Sequence, residues 1–248
     1  MAKTIAISGK GGTGKTTLAA MIIRSLLGKS PQAILAVDAD ANACLGSMLG
    51  IEPEGTIADL REDVLKQKSG GGGGISKVEA FGMGCEQLLC EARGFDLLAM
   101  GRPEGPGCYC AANNLLRTFL DRMSNSYGYV VTDNEAGMEH LSRRTTNNVD
   151  LLVIAAEPTK IGIDTVSRIA NLTKSLPISI NEMGVIWNRV DSVPDVNLDS
   201  VDVLGCVPHD KSVYDAAVKG GTIFDLNENS PALNAVREIL QEKVTQVN

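Results

Sequence analysis

The chain has 248 residues, of which 44% are hydrophobic and 21% are charged. A chain of this length can bury one α/β core, so we expect a single domain over residues 1–248. A net charge of −7 without any Lys/Arg block argues against a nucleic-acid partner, and the lack of a long apolar segment argues against a membrane partner. The first strand begins at once, leaving no room for a signal peptide, and six cysteines in such a chain suggest reduced thiols, so a cytoplasmic location is predicted.

The most informative stretch is a glycine-rich loop near the N-terminus. Residues 4–7 predict a strand and residues 17–23 a helix. Between them the chain reads G-K-G-G-T-G-K-T over 9–16, which matches G-x-x-x-x-G-K-[ST] in the strand–loop–helix context that this motif requires. Glycines let backbone N–H groups point inward at a helix N-terminus, where an anion is favoured. The motif predicts a nucleotide-phosphate site.

Two side chains of this loop have predicted chemical roles. Lys15 supplies a positive charge for the β- and γ-phosphates of ATP or for the β-phosphate of ADP, and the Thr16 hydroxyl is a ligand for Mg²⁺. A glycine-rich turn that matches by chance is the alternative, which the flanking strand and helix disfavour. The remaining predicted phosphate-binding residues are Gly11, Gly12, Thr13, Gly14 and Thr17.

A second lysine, Lys10, stands immediately before the glycine pair. The loop resembles the deviant P-loop of the ATPase family that holds septum-site ATPases, arsenite-pump ATPases and nitrogenase iron protein. In that family the extra lysine reaches across a two-fold interface to the partner subunit's nucleotide. The resemblance implies an ATP-closed homodimer in which Lys10 and Lys15 are catalytic. A solvated surface lysine is the alternative for Lys10.

Two acids follow the apolar run at residues 33–37. A buried strand there would deliver Asp38 and Asp40 to the carboxyl edge of the sheet, where open α/β sheets bind ligands. Their side chains point the same way if the strand continues and diverge if a turn begins. In the resembled family this segment is switch I, which implies that Asp40 positions the attacking water and that Asp38 lies near Mg²⁺. An ordinary Asp/Asn-rich turn is the alternative.

Residues 43–93 carry the weakest signals. Residues 44–49 predict a short helix, and the five consecutive glycines at 70–74 predict a mobile loop. Cys85 and Cys90 could ligate a metal, but packing in a helix or in the core is the favoured interpretation.

A C-x-C pair, Cys108 and Cys110, lies on a Gly/Pro-rich loop ahead of a predicted helix at 111–123. Thiolates are favoured at such a helix start. One pair offers two sulfur ligands whereas soft-metal sites usually have about four, so two symmetric copies would complete a site for Ni²⁺ or Zn²⁺ on the dimer axis. Two packing cysteines are the alternative.

Residues 101–108 resemble the segment of nitrogenase iron protein that carries a ligand of a shared iron–sulfur cluster. That cluster also needs a second cysteine after switch II, and none follows Asp133 nearby. The C-x-C form instead resembles the CooC-type nickel-insertion ATPases that mature carbon monoxide dehydrogenase.

The apolar run at 129–132 ends in Asp133, a Walker B pattern in which the carboxylate holds Mg²⁺ directly or through water. As in switch II of related ATPases, Gly137 would offer its N–H to the γ-phosphate. The D-N-E-A-G-M-E-H wording of 133–140 is close to the CooC type. Glu135, Glu139 and His140 are secondary candidates, since a solvated helix start explains them equally well.

The predicted base pocket comes from two later strand ends. In the family an asparagine at the place of Asn188 bonds the adenine edge, and the loop Pro208, His209 and Asp210 resembles the other wall. Asn188 as a strand-end cap is the alternative.

Alternating strands and helices predict a doubly wound, mainly parallel sheet flanked by helices on both faces. The apolar runs lie at 4–7, 33–37, 95–100, 129–133, 151–156, 183–188 and 203–207. The resemblance implies an ATP-hydrolysing metallochaperone whose client is carbon monoxide dehydrogenase or a related acetyl-CoA synthase. Two alternatives stay open: an iron–sulfur, ATP-dependent reductase component, and a partition or positioning ATPase that binds DNA or membrane. The polar tail, 238–248, disfavours membrane binding.

Overall fold

The computed structural model describes residues 2–66, 77–101, 119–120, 123, 125–136, 148–198 and 201–244. The strands of these ranges are β1 (Lys3–Gly9), β2 (Ile34–Ala39), β3 (Cys90–Ala92), β4 (Phe95–Ala99), β5 (Tyr129–Asn134), β6 (Asn148–Ala156), β7 (Ser179–Asn188) and β8 (Asp202–Val207). They form one eight-stranded sheet in the order β3-β4-β2-β5-β1-β6-β7-β8. Only the β3–β4 pairing is antiparallel among the described strands; the others are parallel.

Helices cover both faces of the sheet, as the sequence predicts. They are α1 (Lys15–Leu26), α2 (Cys44–Leu49), α3 (Ile57–Lys66), α4 (Lys77–Gln87), α5 (Lys160–Thr173), α6 (Lys211–Val218) and α7 (Pro231–Val244). Strand β6 shows the two layers, because successive side chains of a strand point to opposite faces. Val153 packs into the core beneath α1 and α7, whereas its neighbour Ile154 packs into the core beneath α5. The predicted doubly wound architecture is confirmed.

All seven predicted strands are present, and the short helix α2 lies where the sequence places it. The sequence did not predict α3, α4 or the short strand β3, all of which lie in the weakly patterned stretch at 43–93. Helix α4 has glycines at 82 and 84, and in β3 only three residues pair, so neither has a strong periodic signal.

Several sequence predictions lie outside the described residues: the glycine run at 70–74, the C-x-C pair Cys108 and Cys110, and Gly137 with Glu139 and His140. Within the described ranges, no helix combines the length and the apolar character needed to cross a membrane.

Candidate nucleotide-binding site

Strand β1 brings the glycine-rich loop to the carboxyl edge of the sheet, directly ahead of α1. Two glycines are required there by close approach. A Cβ atom on Gly9 would lie 2.3 Å from the carbonyl oxygen of Ala155. Gly14, the residue before α1, has φ 85°, and a Cβ atom there would lie 2.4 Å from Nδ2 of Asn188. Any side chain at either position would therefore push the loop away from its neighbouring strands.

The loop is closed on itself by Thr13 and Lys15, which both contact the Lys10 carbonyl oxygen. The Thr13 hydroxyl donates to that oxygen at 2.8 Å, and the Lys15 ammonium lies 3.5 Å from it. Lys15 is buried, whereas Lys10 is exposed. The Lys15 charge is thus held inside the loop, where a phosphate would compensate it better than one distant carbonyl does.

Asp133 lies at the centre of the site, where β5 ends beside β1. Its carboxyl group is fully buried, and neither oxygen has a hydrogen-bond partner among the residues described. Burial raises the pKa of Asp133 to about 7; the Thr16 hydroxyl and the Lys15 charge lower it, while Asp38 adds to the rise. The Thr16 hydroxyl therefore lies close enough to Asp133 to affect its pKa, but it does not form a hydrogen bond with either carboxylate oxygen.

Two buried carboxylate oxygens without donors, next to a hydroxyl, fit a hard divalent cation. Mg²⁺ prefers oxygen ligands and commonly uses one or two carboxylates together with phosphate oxygens. The predicted pair, Thr16 and Asp133, thus has the chemistry of a magnesium site. Without a cation, a buried carboxylate that lacks donors is costly in its charged form, so the pKa of Asp133 rises.

Asp38 stands beside Asp133 on the neighbouring strand β2 and is also buried. Its Oδ2 accepts from the Leu45 N–H at 2.7 Å, and its Oδ1 accepts from the Asp40 N–H at 3.2 Å. Burial raises the pKa of Asp38 to about 6 against the lowering effect of these N–H groups. Asp38 therefore fixes the start of α2 in addition to lying next to the predicted cation ligand.

Asp40 follows the end of β2, so the two acids diverge. It is half-buried, and its Oδ1 accepts from both the backbone and side-chain nitrogens of Asn42 at 2.9 Å each. Strand β2 ends at Ala39, and an Asx turn begins. The local backbone is thus the Asp/Asn-rich turn of the alternative interpretation. The turn places Asp40 at the edge of the site, whereas Asp38 is buried within it.

Asn188, the predicted adenine contact, touches the phosphate loop. Its side-chain nitrogen donates to the Thr13 carbonyl oxygen at 2.7 Å, and its side-chain oxygen accepts from the Arg189 N–H at 3.1 Å. The amide is buried. Asn188 thus links the end of β7 to the P-loop. Its second N–H and its second oxygen lone pair remain available for a bound base.

An ion pair that the sequence did not predict lies beside this amide. Arg189 has a positive φ of 62°, and its guanidinium lies 2.8 Å from a carboxylate oxygen of Glu157, which follows β6. With Lys10 and the loop glycines, the pair lines a cavity of about 330 Å³. No sequence motif reveals the pair, because it forms only when β6 and β7 lie side by side.

In the predicted second wall, Pro208 is half-buried, His209 is exposed and the Asp210 side chain joins two helices. One oxygen of Asp210 accepts from Ser212 at the start of α6, and the other accepts from the Ser230 hydroxyl at 2.6 Å, next to α7. Burial raises the pKa of Asp210, but these hydrogen bonds outweigh it and lower the pKa to about 2. The carboxylate is therefore used for capping.

The described cysteines behave as packing or surface thiols. Burial raises the pKa of Cys85 to about 12, which supports the packing interpretation, and Cys90 is half-buried. Cys44 is exposed at the start of α2, where burial and the nearby carboxylates raise its pKa. In the described ranges no group of three or more His, Cys, Asp or Glu could hold a metal.

A phosphate loop between strand and helix, beside two buried acids on neighbouring parallel strands, defines a P-loop ATPase. More particularly, the chain belongs to the CobQ/CobB/MinD/ParA nucleotide binding domain family, whose model matches residues 4–223.

The chain is also similar to three individual proteins. It is 36% identical over 250 residues to an uncharacterized ATP-binding protein of Methanocaldococcus jannaschii, with 98% of each chain covered. It is 33% identical over 240 residues to the carbon monoxide dehydrogenase accessory protein CooC of Rhodospirillum rubrum, with 90% of each covered. The fold is similar to the septum site-determining protein MinD complexed with Mg-ADP from Pyrococcus horikoshii, at a TM-score of 0.68 and 21% identity over 98% of this chain and 96% of that one.

Proposed function

We propose that this ATPase is a nickel metallochaperone that matures carbon monoxide dehydrogenase or a related acetyl-CoA synthase. One observation carries the proposal: Cys108 and Cys110 form a C-x-C pair in a P-loop ATPase that is 33% identical to a carbon monoxide dehydrogenase accessory protein. A septum-positioning or partition ATPase has no evident need for two thiols on such a loop. We take the phosphate site and the C-x-C loop to belong to one domain over residues 1–248.

The nucleotide half of the proposal uses the site around the P-loop. The loop's N–H groups and Lys15 bind the β- and γ-phosphates, and Thr16 and Asp133 would hold a Mg²⁺ ion. The MinD of Pyrococcus horikoshii is complexed with Mg-ADP. When bound, Mg²⁺ neutralises charge on the phosphates. Asp40, at the exposed edge of the site, orients the attacking water, and the Gly137 N–H contacts the γ-phosphate. Asn188 and the 208–210 loop contact the base.

The metal half of the proposal needs two copies of the chain. Lys10 is exposed on the loop, from which it reaches the nucleotide of the partner subunit. ATP closes the homodimer and brings the two C-x-C pairs into one four-sulfur site for Ni²⁺, which Zn²⁺ also fits. Because binding free energies are coupled reciprocally, metal in turn favours closure. Hydrolysis opens the dimer and releases nickel to the client.

The test is anaerobic size measurement with metal analysis, with and without ATP and Ni²⁺. We expect a dimer that holds about one nickel ion per two chains, lost in Cys108→Ser and in Cys110→Ser. Cys44→Ser, which removes an exposed thiol outside the C-x-C pair, is the control and should retain the metal. A monomer under every condition would reject the mechanism. A brown protein with visible charge-transfer absorption would instead favour the iron–sulfur reductase component.

A further inference from the structure

Asn134 is a buried amide at the point where β5 leaves the sheet. It follows Asp133 directly, so its side chain lies on the opposite face of the strand from the candidate cation ligand. Only 1% of Asn134 is exposed. Its side-chain nitrogen donates to the Ile7 carbonyl oxygen on β1 at 2.8 Å.

The bond lies where the two strands separate. The backbone register of β1 and β5 ends at the pair Ile7 and Asp133. Beyond it, β1 continues into the P-loop and β5 continues into the segment that corresponds to switch II. On its other side Asn134 is paired with Ala39, the last residue of β2 before Asp40. Asn134 therefore joins three strand ends: its side-chain amide bonds β1, and its backbone pairs with β2. Each of these strands leads into a loop of the nucleotide site.

The start of the switch II segment lies beside the phosphate loop. Ala136 is two residues beyond Asn134, and a Cβ atom built on Gly11 would lie 3.9 Å from the Ala136 Cβ. Gly11 has no Cβ atom, so the two residues lie next to each other without a close contact. The Asn134 bond fixes the chain two residues before Ala136.

Stability alone is a poor explanation for an amide at this position. The Asn134 side-chain oxygen is buried and has no hydrogen-bond partner within the described part of the chain. A buried acceptor without a donor opposes folding, whereas an apolar side chain of similar size would not. We therefore look for the role of the amide in its N–H group, which ties the end of β5 to Ile7 on β1.

We propose that Asn134 is a positioning residue for ATP hydrolysis, which fixes the start of switch II against the P-loop strand so that Asp133 is held in the geometry that the bound nucleotide and its cation require. The proposal rests on the ATPase site and is independent of nickel delivery. Small displacements of groups around a reacting phosphate reduce turnover while leaving ground-state binding largely intact.

The test compares two variants of the same shape, Asn134→Val and Asn134→Thr. Both suit a strand, but only threonine keeps a hydrogen-bond donor. We expect Asn134→Val to bind ADP within about two-fold of the parent and to lose about ten- to hundred-fold in kcat. Asn134→Thr should recover part of that loss. The melting temperature of Asn134→Val should stay within about 3 °C of the parent, because the loss of the bond to Ile7 and the removal of the orphan acceptor oppose each other.

A matched control removes another buried side-chain hydrogen bond. The Ser25 hydroxyl donates to the Met21 carbonyl oxygen at 2.7 Å, near the far end of α1 from the phosphate loop. Ser25→Ala should leave kcat unchanged. Equal kcat values for the valine and threonine variants would overturn the positioning role. So would an unfolded Asn134→Val, or losses of stability, ADP affinity and kcat in proportion, since these indicate a structural role only.

Discussion

Asp38 and Asp133 lie side by side on neighbouring parallel strands, paired in register and both buried. Burial is the main cause of their raised pKa values, about 6 and about 7, and the charge of Asp38 adds to the rise at Asp133. Without a cation, the folded protein therefore keeps protons on this pair of carboxyl groups close to neutral pH, whereas the unfolded chain has released them. Proton binding and cation binding are alternatives at this edge of the sheet.

The first prediction concerns stability without nucleotide. A carboxyl group whose folded pKa is raised binds more protons folded than unfolded between its unfolded pKa, near 3.8, and its folded pKa. The melting temperature should therefore fall as the pH rises from 6 to 8. Asp133→Asn should weaken this dependence and raise the melting temperature at pH 8 by at least about 2 °C. Calorimetry in EDTA measures both, with the exposed Asp164→Asn as control. A parent-like pH profile for Asp133→Asn would contradict this assignment.

The second prediction concerns nucleotide binding. Asp133 must lose its proton before it can ligate a cation, so the affinity for Mg·ADP should increase between pH 6 and pH 8. Titration calorimetry in two buffers of different ionisation enthalpy should show protons released on binding. ADP without Mg²⁺ is the control and should show a smaller pH dependence. The same pH dependence with and without Mg²⁺ would count against a cation site at Asp133.

The third prediction separates the two lysines of the loop. Lys15→Ala removes the charge held inside the loop and should abolish ADP binding as well as hydrolysis. Lys10→Ala should retain ADP binding but lose ATP-dependent dimerisation and about a hundred-fold or more in kcat. Analytical ultracentrifugation with ATP and a steady-state ATPase assay distinguish these outcomes. Lys29→Ala, an exposed lysine near the far end of α1, is the control. A Lys10→Ala variant that still dimerises would reject the bridging role.

The fourth prediction concerns Asp210. Asp210→Ala removes the cap of α6 and the bond to Ser230, and should lower the free energy of unfolding by about 1–2 kcal/mol at pH 7. The pKa of Asp210 is lowered to about 2, so its contribution is complete above the unfolded value of 3.8 and is lost as the pH falls towards 2. Urea denaturation at pH 7 and at pH 3 measures this, with Asp215→Ala, a half-buried position in the same helix, as control. Unchanged stability with a large loss of ADP affinity would make Asp210 a base-binding residue instead.

The sequence predicts the centre of the site because its spacing rules are local. The phosphate loop needs glycines at fixed offsets from a strand and a helix, and Asp133 ends an unbroken apolar run. The same information cannot settle how Asp38 and Asp40 point, because that depends on whether β2 stops at Ala39. It stops there because Asp38 accepts the Leu45 N–H and Asp40 forms its own turn with Asn42.

Contacts between distant strands are harder to foresee. The Glu157–Arg189 ion pair and the Asn134–Ile7 bond join residues that only the strand order brings together. Likewise, Asp210 precedes a helix and so predicts one cap, but its bond to Ser230 spans 20 residues. Sequence spacing therefore finds groups that act within one loop, whereas groups that act between loops are found only through the strand order or through a family resemblance.

Strand order has a mechanical consequence. Strand β5 separates β2 from β1 in the sheet, although it follows both by many residues in the chain. A nucleotide bound at the carboxyl ends of β1, β2 and β5 would link three strands that are far apart along the chain. Amide protons in the middle of these three strands should consequently exchange more slowly when ADP is bound, in step with each other rather than one strand at a time.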